Sequence, residues 1–233
     1  MDRAKAHIDE FDTTLTRFFA GDPSGIDLQL DPVSKRLGFL IFDRKPFPRH
    51  IACMLGDAIH NLRASLDYLI SACAIANGRT PNDTHFPIVK LKDELERRLQ
   101  KDVRKAGTAA INLVRQSKPY QRGNGFLYAI HQLDLADKHR LLIAVKHTLY
   151  ARISLDAFPG SAFSKSFHST RNKRRFMPCP AGLEEYVLGA EASLTSDVVF
   201  APKLPRAGKP CVEELHIFAK AVEKVVKLFV AAL

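Results

Sequence analysis

Within the stretch GDAIHNLRASLDYL, residues 56–69, a histidine, an arginine and a carboxylate recur at three- and four-residue steps: His60, Arg63 and Asp67. At about 100° per residue they fall in one narrow sector of a helix, beside Gly56 and Ala64. A second polar group follows in LDLADKHRLL, residues 133–142, which supplies Asp134, Asp137, Lys138, His139 and Arg140. A histidine near a carboxylate exchanges protons around neutral pH, and adjacent cations neutralise a phosphate as its charge builds. This equipment suits cleavage of RNA without a metal, with the 2′-hydroxyl as nucleophile. In that reading His60, Arg63, Asp67, Asp137 and His139 are the candidate catalytic residues. His60 or His139 handles protons, and Arg63 with Lys138 supports the phosphate. Lys138 and Arg140, with Arg171, Lys173, Arg174 and Arg175 of a later basic run, are candidate substrate-binding residues.

The same residues admit a structural reading, in which Arg63 meets Asp134 or Asp137 across two packed helices as a charge-assisted clamp. Both readings stay open on the sequence. A metal centre is not expected: His60, Asp137 and His139 are ligand types, but no HExxH-like spacing occurs and the neighbouring cations would repel a divalent ion. No cofactor is expected either. QRGNG at 121–125 lacks the lysine and Ser/Thr of a phosphate-binding loop and reads as a helix entry. Cys53 and His85 read as packing residues, and Tyr120 as a stacking platform or a cap on the bundle.

The elements that must position these groups follow from periodicity. Ile8, Phe11, Leu15, Phe18 and Phe19 predict a helix over 2–19, stopped by GDPSG. Ile26, Leu28 and Leu30 alternate with polar residues, and after a turn around Asp31-Pro32 a second apolar strand at 37–42 predicts a hairpin, ended by Pro46 and Pro48. The strongest helix spans 50–76, with Leu55, Ile59, Leu62, Leu66, Leu69 and Cys73 opposite the polar stripe. A charged helix over 90–116, broken near Gly107, and a third long helix over 126–146 follow. The pattern then changes to period two through 148–200, and Val212, Leu215, Phe218, Val222, Val225, Val226 and Phe229 form one stripe of a final helix over 211–232. The expected class is α+β: one domain over 1–233, a helical bundle at about 50–147 with a small antiparallel sheet attached. The hairpin 26–42 and the strands in 148–200 are expected to share one sheet, since a lone hairpin is marginal in water.

The net charge of +10 invites an anionic partner. Its surplus lies in two places: residues 90–118, and KSFHSTRNKRR at 165–175, which contains no acid. RNA or another polyanion is the expected partner, against the alternative of a solvated helix face and loop. A second copy of the chain is also carried as a candidate partner. No run approaches the roughly 18 apolar residues of a membrane span, and MDRAKAHIDEFDTTLTRFFAG has no apolar signal region, so no membrane partner is expected. The four cysteines form no CxxC pair; Cys53 and Cys73 lie about 30 Å apart along one helix and cannot bridge. Reduced thiols and a cytoplasmic setting are the expectation.

GDAIHNLRASLDYLISACAIANGRTP, THFPI, KPYQRG and LDLADKHRLL, in that order, resemble a widespread bacterial protein family of similar length. The resemblance spans roughly residues 50–147 and implies a shared fold and a common polar constellation; it brings no activity with it. More distantly the chain resembles the HEPN superfamily, helical bundles that include metal-independent ribonucleases of toxin and phage-defence systems. Their mark is an arginine, a polar residue, then a histidine after four to six positions. Here Ala64 follows Arg63, and Tyr68 stands where the histidine would. Arg140 and His147 have the separation, with Leu141 after the arginine. This likeness implies a HEPN-like bundle and ribonuclease chemistry. The alternative is a non-catalytic interaction protein with a structural polar core and a basic partner-binding surface.

Overall fold

Ala4, Ile8, Phe11 and Leu15 are buried along one side of the first helix, α1 (Asp2–Ala20), whose end is marked by the Gly21 amide on the Phe18 carbonyl. This computed structural model describes residues 1–140, 145–154, 162–168, 175–184, 186–187 and 190–232, without the side chains of 139, 140, 146 and 162–168. After α1 comes the hairpin β1 (Ser24–Leu30) and β2 (Leu37–Asp43), paired from Ser24↔Asp43 to Leu30↔Leu37. Its turn is closed by Asp31, which accepts the Ser34 amide on Oδ2 and the Lys35 amide on its carbonyl. The long helix α2 (His50–Ala76) then crosses the molecule, about 40 Å at 1.5 Å per residue.

The charged segment begins later than its composition predicts. Helix α3 (Asp93–Asp102) gives way to a short 3-10 turn at Arg104–Ala106 and then α4 (Gly107–Ser117). The break falls at Gly107, whose φ of 89° and ψ of 169° suit only a residue without a side chain. Helix α5 (Gly125–Arg140) is shorter than expected: Val145 opens strand β3 (Val145–Ser154), so the helix does not reach 146. Three further strands follow, β4 (Ala162–His168), β5 (Arg175–Pro178) and β6 (Glu191–Phe200), before the last helix α6 (Cys211–Val230).

The class is α+β, with antiparallel strand pairing throughout the ladders. The single sheet expected from the sequence is two: β1-β2-β5 and β4-β3-β6. Alternation identifies which face of a strand is buried, not which strand lies beside it. The strand that separates the sheets is β5, four residues placed against β2 with Phe39 opposite Met177. The basic run 165–175 is accordingly no single loop, since its first four residues lie in β4 and Arg175 in β5.

Two cores result. The large one joins all six helices around Phe11, Phe86, Phe218 and Phe229 and takes in Val198 and Phe200 from the end of β6. Each such side chain contributes about 1.5–3 kcal/mol through burial. The small one lies between the sheets, with Phe39, Ile41 and Met177 on one side and Leu149, Ala151 and Ile153 on the other. The seam between helices and sheets holds His147 of β3, stacked between Phe19 at 5.6 Å and Phe47 at 5.7 Å, with Asp43 Oδ1 3.9 Å from its Nδ1. Burial in this aromatic slot pushes the His147 pKa down. Among the described residues no helix is long and apolar enough to cross a membrane.

Candidate functional site

Helices α2 and α5 lie against each other, and the polar stripe of α2 faces α5. The close approach depends on Gly56: a Cβ there would stand 2.7 Å from Asp137 Oδ1 and 2.9 Å from its Cγ. A glycine at this turn of α2 thus makes the slot that receives the Asp137 carboxylate.

One turn further along α2, His60 Nδ1 lies 2.9 Å from Asp134 Oδ1, and the other oxygen of the same carboxylate accepts a 2.7 Å hydrogen bond from Lys138 Nζ. Asp134 is only 4 % exposed, whereas the His60 and Lys138 side chains are 51 % and 49 % exposed. A buried anion therefore holds two solvent-facing groups, each by one oxygen. Both carboxylate oxygens thus have a hydrogen-bond partner, as a polar group in a buried place requires. With Nδ1 committed to Asp134, the second ring nitrogen of His60 is the one left to exchange protons with a ligand.

Arg63 does not meet Asp134 or Asp137, as the clamp reading expected. It is buried and turns to the loop after α2, where Nη2 donates to the Phe86 carbonyl at 2.9 Å. Its Nη1 stands 2.8 Å from Asp67 Oδ1, off the axis of a hydrogen bond, and Asp67 Oδ1 accepts the Phe86 amide at 2.8 Å. Arginine and aspartate, four residues apart on α2, together grip both backbone polar groups of Phe86. Phe86 itself is fully buried in the main core. The expected helix-to-helix clamp does not form; Arg63 and Asp67 instead fasten a loop backbone to α2.

Between the clamp and the surface triad lies His131 of α5, which precedes Asp134 by three residues and Lys138 by seven and so shares their stripe. Burial, reinforced by the Arg63 charge, pushes its pKa down to about 4 against the pull of Asp134 and Asp67. It is neutral at pH 7, and its buried Nδ1 has no hydrogen-bond partner among the described residues. Sequence reasoning overlooked it, although the 131, 134, 138 spacing was available. The Phe86 backbone gave no signal at all.

The remaining candidates scatter. The side chains of His139 and Arg140, and residues Arg171, Lys173 and Arg174, lie outside the described residues. Arg175 sits in β5 opposite Ile41, in the sheet of β1 and β2 rather than on the α2–α5 face. His147, which has the spacing from Arg140, is sealed in its aromatic slot on a strand. Cys53, expected to pack, is exposed, while Cys73, Cys179 and Cys211 are buried, and all four are free thiols. His85, also expected to pack, is exposed. Part of the basic surplus of 90–118 is spent internally: both oxygens of Glu96 take Arg115 at 2.8 Å, and Arg98 lies 2.8 Å from Asp102. Among the described residues no three of His, Cys, Asp and Glu converge as metal ligands.

No family model, curated protein or solved structure matches the chain.

Proposed function

We propose that the α2–α5 face binds RNA and cleaves it without a metal ion. One observation carries the reading: a half-exposed histidine is oriented by a buried carboxylate that also holds a half-exposed lysine. In this scheme the free ring nitrogen of His60 takes the proton of a ribose 2′-hydroxyl. The 2′-oxygen attacks the adjacent phosphorus, the bond from phosphorus to the 5′-oxygen breaks, and the protonated His60 returns its proton to that leaving oxygen. The products are a 2′,3′-cyclic phosphate and a 5′-hydroxyl end. Asp134 fixes the ring tautomer and stabilises the imidazolium that forms, and Lys138 neutralises the charge gathering on the phosphate.

The HEPN arginine–polar–histidine motif is not kept here, with Ala64 and Tyr68 at its second and last places, so the reading rests on the His60–Asp134–Lys138 group itself. The histidine here precedes the arginine by three positions, and Arg63 is engaged by Phe86, so the cation that meets phosphate is Lys138. Arg63 and Asp67 serve the alternative reading, a structural polar cluster, because both are bonded to the backbone of one loop residue, Phe86.

The test is cleavage of a fluorophore-quencher RNA oligonucleotide by the full chain in excess EDTA. Cleavage is expected with RNA and absent with the matching DNA, which lacks the nucleophile. It should fall by about 10²-fold or more in His60→Ala, the range general acid–base catalysis supplies, with an unchanged circular dichroism spectrum. A wild-type chain that leaves the RNA intact, or a His60→Ala chain as active as wild type, overturns the reading.

A further inference from the structure

A cavity of about 690 Å³ opens on the side of the bundle where α4 ends, α5 begins and α6 makes its last turns. Its wall includes Lys118, Lys224 and Lys227, with Phe126, Val225 and Leu228 as the apolar part, and no acidic residue. The nearest carboxylate in sequence, Glu223, is paired with Lys5 and is drawn more weakly to Lys227. No acid lies within ion-pair distance of any of the three lysines among the described residues. Three cations converging on one concavity repel one another, and an anion entering it removes that repulsion.

The rim is built to stay in place. Lys118 ends α4 in the left-handed conformation, φ 50°, and its carbonyl accepts both the Tyr120 and Asn124 amides at 2.8 Å. Gly123 is fixed between this carbonyl and the Tyr120 ring, where a Cβ would stand 2.5 Å and 2.7 Å away. Asn124 then caps α5, its side chain accepting the Leu127 amide and its carbonyl the Tyr128 amide. The amides of Gly125 and Phe126, first in the helix, have no acceptor among the described residues, and a Cβ at Gly125 would meet nothing within 4 Å. A helix start of this kind favours negative charge. The ring of Phe126 has one face covered by the Arg206 guanidinium at 5.3 Å, and Arg206 is itself locked by two hydrogen bonds to the buried Glu214. The ring therefore stands as a supported platform on the cavity wall.

We infer that this cavity binds a phosphorylated small molecule with a planar body, of which a nucleoside diphosphate is the representative. The phosphates lie among Lys118, Lys224, Lys227 and the first amides of α5, and the base lies against Phe126. The volume falls within the roughly 300–1,000 Å³ of small-molecule sites. The wall combines a cationic end with an apolar one, which a bare phosphate would leave half used. This site is separate from the α2–α5 face and does not rest on the ribonuclease reading.

The experiment is isothermal titration of the full chain with ADP, pyrophosphate and adenosine in turn. Saturable binding of ADP is expected, with pyrophosphate weaker and adenosine weaker still. The double variant Lys224→Ala/Lys227→Ala should lose at least about tenfold in ADP affinity, since it removes two charge-assisted contacts. Phe126→Ala should weaken ADP and leave pyrophosphate unchanged. Both variants alter exposed side chains, and circular dichroism confirms that each is folded. No saturable ADP binding, ADP binding indifferent to the lysine pair, or capture of single-stranded RNA with none of ADP overturns the inference. Failure here leaves EDTA-resistant RNA cleavage untouched, and the reverse also holds.

Discussion

Replacing Arg63 with alanine removes the guanidinium that joins α2 to the loop peptide at Phe86, and its cost can be built from the parts. The buried Phe86 carbonyl loses its 2.9 Å donor, about 1–3 kcal/mol. Asp67 loses the cation 2.8 Å away but is 30 % exposed and keeps the Phe86 amide, so that portion is about 1 kcal/mol. The sum is about 2–4 kcal/mol, a loss of roughly 5–15 °C in melting temperature for a chain of this size. Asp67→Asn keeps an oxygen for the Phe86 amide and should cost only about 1 kcal/mol. His60→Ala takes one partner from the buried Asp134 carboxylate, which Lys138 still holds, and should cost about 1 kcal/mol. Urea unfolding followed by far-UV circular dichroism reads the series, the chain having no tryptophan to report by fluorescence. An Arg63→Ala protein within about 1 kcal/mol of wild type, or Asp67→Asn as costly as Arg63→Ala, refutes the clamp.

Three other outcomes follow from named groups. His131 has a folded-state pKa near 4, below its unfolded value, so the unfolded chain binds the extra proton first. Its contribution is complete above about pH 6.5 and lost as pH falls toward 4, a loss of about 2 kcal/mol after allowance for partial exposure; His131→Asn should flatten the pH–stability profile over that window. Gly107→Ala forces a side chain onto φ 89° and should cost about 1–3 kcal/mol, measured as a lowered urea midpoint with an unchanged slope. Arg206→Ala strands the Glu214 carboxylate, 3 % exposed, and should cost about 3–5 kcal/mol, with much of that recovered on adding Glu214→Gln.

The helices were legible because each stripe reports its own burial. Ile8, Phe11 and Leu15, or Leu215, Phe218 and Val222, repeat at helical spacing and are buried as that spacing requires. The break at Gly107 was legible for the same local reason. Pairings were not. Nothing in RFMP says that Met177 lies opposite Phe39, because strand partners are chosen by the packing of distant segments. The site shows the same division. The stripe His60, Arg63, Asp67 was visible, yet its partners split between Asp134 of α5 and the Phe86 peptide. A backbone carbonyl as the partner of Arg63 has no signature in residue types.

The placing of β5 has a consequence for synthesis. The hairpin of β1 and β2 leaves the ribosome well before β5, the strand that covers its open side and ends at residue 178. At translation rates of 5–20 residues per second, the exposed edge of β2 waits on the order of ten seconds for its neighbour. An uncovered strand edge is a template for the wrong chain. The nascent hairpin is therefore the segment that a chaperone would shield, and the stage of biogenesis at which crowded polysomes would lose this protein to aggregates.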